Sequence, residues 1–111
     1  MKTRNTGTGL ILSTIAGAWL VVMAPPLYAA DGEAVYNKSC KMCHGSGMMS
    51  APKVGDAEAW KAVVAKGRDV LYDHSINGFH DKGMMPPKGG DDSLTDEEVK
   101  AAVDYMVKHS E

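Results

Sequence analysis

The chain has 111 residues, with twelve Lys and Arg, fourteen Asp and Glu, and a formal net charge of −2. Two of the basic residues, Lys2 and Arg4, lie at the start, so residues 31–111 carry ten bases against fourteen acids, a net −4. That length holds one domain, and the acidic balance sets aside a binder of nucleic acid, which needs a basic face.

Residues 1–30 read as an export signal. Lys2 and Arg4 form a positive start, Leu10 to Ala24 is apolar apart from Ser13 and Thr14, and Pro25-Pro26 halts any helix before Tyr28-Ala29-Ala30. This is the layout of a cleaved secretory leader, with cleavage after Ala29 or Ala30. The other reading is a retained membrane anchor, but the apolar run is fifteen residues, short of the ~20 that span a bilayer. Export predicts a periplasmic protein, and residues 31–111 are then its single domain.

That domain has few large apolar groups: Tyr36, Trp60, Tyr72, Phe79 and Tyr105, with scattered Val and Met. A core so small usually needs a covalent staple or a bound group.

Asp31 to Cys43 predicts the first helix, with Gly32, Val35, Tyr36 and Ser39 on one stripe. Its end is the run Cys40-Lys41-Met42-Cys43-His44. C-x-x-C-H is the attachment signature of c-type haem. Two thiols match the two vinyl groups of the porphyrin, and the spacing puts both sulfurs and the His44 imidazole on one helical face. A disulfide between Cys40 and Cys43 would close a very short loop and stabilise little. A thiol–disulfide enzyme would need a βαβ setting, and no strand pattern is evident. A zinc site would need a second spaced ligand pair; His74, His80 and His109 are most simply solvated, with His80 the one other histidine inside a candidate ligand loop.

Residues 45–55 form a loop rich in Gly and Pro. Its Pro52 carbonyl is the candidate acceptor for the second ring N–H of His44, since ligating histidines are commonly oriented in this way. Asp56 to Lys66 predicts a second helix capped by Asp56, with Trp60, Val63 and Val64 apolar. Trp60 is either packing or an indole donor to a haem propionate. A third helix covers Asp69 to Asn77. Residues 77–94 then read as a patternless loop, long enough to be functional. It contains Met84-Met85-Pro86-Pro87, and the proline pair stiffens the chain after the thioethers. One of these sulfurs can take the sixth position on iron. Thr95 to Lys108 predicts the strongest helix, with a Thr95–Glu98 capping box, a Leu94–Val99 staple and a buried stripe of Val99, Ala102, Val103 and Met106. Tyr105 is placed to meet Gly32 and Tyr36 where the first and last helices cross.

The order of helix, C-x-x-C-H, late methionine loop and final helix resembles the class I c-type cytochromes. Ala51-Pro52-Lys53-Val54-Gly55-Asp56, Ala59-Trp60, Gly83-Met84-Met85-Pro86-Pro87-Lys88-Gly89-Gly90 and Leu94 to Met106 are similar to the bacterial cytochrome c-five group. The resemblance implies an all-α, cytochrome c-like fold, with four short helices wrapped around one covalently bound haem c. It implies Cys40 and Cys43 as thioether anchors, His44 as proximal iron ligand and Met85 as distal ligand, with Met84 the runner-up. Some members carry a further cysteine pair; this chain does not.

The function expected is one-electron transfer between redox protein partners, such as a membrane quinol-oxidising complex, a terminal oxidase or a periplasmic reductase. With His and Met both bound no coordination position is open, so the protein is expected to be a carrier, monomeric or weakly dimeric, with no small-molecule substrate and no enzyme activity. Its acidity disfavours a strongly anionic docking face. Two alternatives stay open: a haem-c subunit of a larger oxidoreductase, and a gas- or peroxide-binding protein if the methionine is displaceable.

Overall fold

The computed structural model describes residues 7, 9, 17–24 and 29–111. The expected leader, residues 1–30, lies for the most part outside them. Among the described residues no helix is long and apolar enough to cross a membrane.

Asp31 opens the folded part by accepting the Ala34 N–H at 3.1 Å, which caps α1 (Gly32–Val35). The chain continues without a break through a π-helical turn (Tyr36–Cys40) into α2 (Lys41–His44). The helix expected over residues 31–43 is therefore one body with a wide turn inside it, closed by the Lys41 N–H donating to the Tyr36 carbonyl. A π turn adds one residue, which rotates everything after it by about 100° around the axis. Tyr36 faces the core while Cys40, Cys43 and His44 face a cavity. Apolar periodicity cannot reveal a single wide turn, because the pattern before and after it is too short to show the phase change.

α3 (Ala57–Val64) is capped by Asp56, which accepts the Ala59 N–H at 3.1 Å. α4 (Arg68–Asn77) follows directly. α5 (Asp96–Lys108) begins with the full capping box: the Thr95 hydroxyl accepts the Glu98 N–H at 3.2 Å, and the Glu98 carboxylate accepts the Thr95 N–H at 2.8 Å.

The α1–α5 crossing is the frame of the fold. Gly32 lies against the Ala101 carbonyl; a Cβ there would overlap that backbone and come within 3.2 Å of the Tyr105 Cβ. Only glycine permits so close a crossing. One turn on, Tyr36 packs on Tyr105 with ring centroids 5.2 Å apart. Two apolar clusters flank the crossing. One joins Tyr36, Trp60, Leu71, Val103, Met106 and Val107; the other joins Val35, Leu94, Val99 and Ala102. Cys40 packs against both. Each such large side chain stabilises the fold by roughly 1.5–3 kcal/mol on burial.

Two further features were not read from the sequence. The stretch 77–94 is not patternless: β1 (Phe79–His80) pairs antiparallel with β2 (Met84–Met85), Phe79 opposite Met85 and His80 opposite Met84, and a 3₁₀ turn covers Pro87–Gly90. Strands of two residues are too short for alternation to be read. Ser110, beyond α5, is buried: its hydroxyl donates to the Met106 carbonyl at 2.7 Å and accepts the Gly55 N–H at 3.0 Å. The C-terminal helix thereby holds the loop of residues 45–55.

Candidate haem site

A cavity of about 740 Å³ lies between the helices and the hairpin, within the roughly 300–1,000 Å³ of cofactor sites. The π turn and α2 contribute Cys40, Cys43 and His44; β2 contributes both Met84 and Met85; α5 contributes Val103 and Met106. Both thiols are free.

His44 is the best-defined side chain here. It is buried, and its Nδ1 lies 3.0 Å from the Pro52 carbonyl oxygen. A carbonyl only accepts, so Nδ1 carries the proton and Nε2 keeps its lone pair. Burial pushes the imidazole pKa down, with the Pro52 hydrogen bond acting more weakly the other way. Burial outweighs the hydrogen bond and favours a neutral ring, while the bond to Pro52 fixes the tautomer, leaving one nitrogen with a free lone pair, the form that ligates a metal. The His44 carbonyl also accepts the Val54 N–H at 2.7 Å, so the loop grips the residue at backbone and ring.

The cysteines are not arranged for thiol chemistry. Burial pushes the Cys40 thiol up to about 11, helped by Asp91 and Cys43. A thiol so reluctant to ionise is a poor nucleophile for disulfide exchange. Among the described residues no three His, Cys, Asp or Glu side chains gather to hold a metal ion, so the zinc reading gains no support.

Both methionines line the cavity, but they differ in exposure. Neighbours along a strand point to opposite sides. Met84 is 55% exposed, whereas Met85 is half-buried and also reaches a narrow crevice beside Cys40 and Met106. His80, paired with Met84, is exposed and does not line the cavity.

Trp60 is a packing residue. It is 3% exposed, its ring centroid is 6.2 Å from that of His44, and its indole N–H donates to the Lys53 carbonyl at 2.9 Å. That donor is engaged by backbone and not left for a propionate. His74, by contrast, departs from expectation. It is half-buried, stacks on Phe79 at 4.2 Å and lines the cavity. Its position on α4 gave no sign of this, because its partner Phe79 lies in the hairpin that the sequence did not reveal. His109 is exposed, as expected.

Residues 28–106 match the family model described as cytochrome c oxidase, cbb3-type, subunit III. The chain is 55% identical over 83 residues to cytochrome c-555 of Chlorobaculum thiosulfatiphilum, spanning 74% of this chain and 96% of that protein. It is 44% identical over 80 residues to cytochrome c5 of Azotobacter vinelandii, spanning 70% and 93%. A solved structure of an electron-transfer complex of nitrite reductase with cytochrome c contains a chain that superposes with a TM-score of 0.66 at 37% identity, covering 73% of this chain and 95% of that one.

The chain belongs to the class I c-type cytochromes. It carries one covalent haem c and transfers single electrons with redox protein partners. The residues fit that group: two thiols at the attachment spacing, a neutral imidazole and a thioether line one largely apolar cavity.

Proposed function

We propose that this cytochrome is a periplasmic shuttle whose haem is anchored through Cys40 and Cys43 and held between His44 and Met85. The carrying observation is that these four side chains line a single cavity. The haem supplies an iron that cycles between ferric and ferrous states. Everything else is the work of the chain. The Pro52 carbonyl orients His44 by accepting the Nδ1–H, which leaves Nε2 for iron. Val103, Met106 and Leu71 keep water from the site. His44 and Met85 would hold the iron, a ligand pair that raises the reduction potential and would leave no position open to a substrate, which favours carriage over catalysis. Residues 1–30 act as the export leader and 31–111 as the cytochrome domain. Donor and acceptor belong to the class of membrane quinol-oxidising complexes, oxidases and periplasmic reductases; the relative solved with nitrite reductase supports the last of these.

The test is spectroscopic. Protein made with a cytochrome c maturation system should give the pyridine haemochrome of a doubly thioether-linked haem. Met85→Ala should abolish the sulfur-to-ferric-iron band and lower the potential, while Met84→Ala should leave both intact. A colourless product, or the reversed methionine result, overturns the assignment.

A further inference from the structure

Asp91 is the most heavily engaged carboxylate among the described residues, and the engagement joins two sides of the haem cavity. One oxygen accepts the Ser39 hydroxyl at 2.8 Å and pairs with Lys38 at 3.3 Å. The other accepts the Ser93 N–H at 3.1 Å and the Ser93 hydroxyl. Its side chain is only 24% exposed. Hydrogen bonds from Ser93 and Ser39, with Lys38 adding to them, hold its pKa well below the usual carboxylate range. Ser39 directly precedes the anchor Cys40, and Asp91 follows the turn that begins after Met85.

That turn needs holding. Lys88 and Gly89 both take left-handed backbone angles, φ 54° and 64°, a conformation that is unfavourable for a non-glycine residue. Inside the turn only short-range bonds act: Gly89 N–H to Pro86 and Asp91 N–H to Lys88. Two side-chain contacts fix it from outside. Lys88 donates to the Leu94 carbonyl at 2.8 Å and pairs with Asp96, which ties the turn to the start of α5. Asp91 ties it to the π turn of the haem-anchoring helix. Gly89 lies so near that helix that a Cβ would be 3.0 Å from the Ser39 carbonyl oxygen. Ser39 thus meets the turn twice, through its carbonyl at Gly89 and its hydroxyl at Asp91.

We propose that Asp91 is a positioning residue for the distal ligand: by bridging to Ser39 it clamps the Pro86–Asp91 turn onto the helix that carries Cys40, and so keeps the Met85 sulfur in the cavity. The inference rests on the reading of Met85 as distal ligand. Lys38 is the lesser partner, since its side chain is 65% exposed and surface pairs contribute little.

The experiment measures cyanide binding to the ferric holoprotein, which requires the distal sulfur to leave first. Alongside it, guanidinium melts report fold stability. Removing a hydrogen bond to a charged group should speed cyanide entry about tenfold in Asp91→Ala. Ser39→Ala, which keeps the carboxylate and is the milder change for folding, should act in the same direction. The double variant should be no faster than Asp91→Ala alone, because both break one contact. Asp91→Asn, which still offers Ser39 an acceptor, should recover most of the slow rate, and Lys38→Ala should stay within twofold of the parent. The control is Met85→Ala, which should bind cyanide far faster than any of these. If Met85→Ala binds cyanide at the parent rate, the assignment of Met85 falls and the clamp falls with it. If Met85→Ala is fast while Asp91→Ala and Ser39→Ala keep the parent rate, even with lowered melts, the clamp alone is overturned and Asp91 is merely structural.

Discussion

The two sides of the haem cavity are built differently. The proximal side is local: Cys40, Cys43, His44 and the Pro52 carbonyl fall within thirteen consecutive residues. It is held by a buried ring and by backbone, the 3.0 Å contact from His44 to Pro52 and the 2.7 Å bond from Val54 to His44. The distal side is assembled at long range. Met85 sits on a two-residue strand, and the turn after it is fixed by side chains: Lys88 to the nearby start of α5, and Asp91 to Ser39, 52 residues back in the anchoring helix. Backbone partners cannot be mutated away and sit deeper; side-chain partners are part-exposed and separable. The difference predicts a proximal ligand that is hard to dislodge and a distal one that can yield while the fold persists.

The sharpest way to break this comparison is to remove one ligand from each side. His44→Ala should abolish recovery of mature haemoprotein, because the buried proximal pocket loses the nitrogen that Pro52 orients. Met85→Ala should still mature and fold around a haem with an open distal position. The measurement is haemochrome absorbance per mole of purified protein. Equal losses in the two variants would show that the sides are not as different as their construction implies.

The same contrast explains what the sequence disclosed. The proximal site was legible because its chemistry is written in one short run, and because a proline carbonyl eight residues on is the natural acceptor for a ligating histidine. The α5 capping box and the Gly32–Tyr36–Tyr105 crossing were legible because caps and stripes are local or periodic. The π turn was not, since it changes the helical phase without changing composition. The hairpin was not, since Phe79–His80 and Met84–Met85 are too short to alternate visibly, so the difference in exposure between Met84 and Met85 awaited the register. Ser110, His74 and the Ser39–Asp91 contact were out of reach for a third reason: each depends on a partner in another element that no motif or stripe in the sequence points to.

Both sides rest on one frame, the α1–α5 crossing, so damage there should lower stability without favouring either side. Gly32→Val would drive two methyl groups into the Ala101 backbone. Overpacking of this kind costs about 1–3 kcal/mol. The expected result is a lower melting midpoint for the holoprotein with an unchanged ratio of proximal to distal lability, read as cyanide entry relative to total unfolding. A selective rise in cyanide entry would mean that the frame serves the distal side in particular.

A smaller proximal effect is expected from Trp60→Phe. A smaller aromatic ring stays, and the indole N–H to the Lys53 carbonyl is lost together with part of the buried ring. A neutral hydrogen bond contributes about 0.5–1.5 kcal/mol net and the lost volume adds to it, so the variant should lose about 1–2 kcal/mol by guanidinium melt. Because the donor is engaged by Lys53, the reduction potential should move little. A large fall in potential would instead place the indole on the haem carboxylates and return Trp60 to the role set aside above.

The smallest effect requires no mutation and isolates the distal side. Asp91 has its pKa held below that of an ordinary carboxylate, about 3.9 in an unfolded chain, by the hydrogen bonds from Ser93 and Ser39. A group depressed in this way contributes stability that is fully present above the unfolded pKa and is lost as pH falls through the folded one. The contact with Ser39 should therefore survive at pH 4, where free carboxylates are half protonated, and yield only on further acidification. The Ser93 N–H donates to Asp91 at 3.1 Å, so its proton chemical shift is a direct reporter of the titration. In the holoprotein its midpoint should lie clearly below 3.9, and Ser39→Ala should move it up towards the ordinary value. A parent midpoint near 3.9 would mean that the carboxylate is free in solution and that the distal turn is held by Lys88 alone.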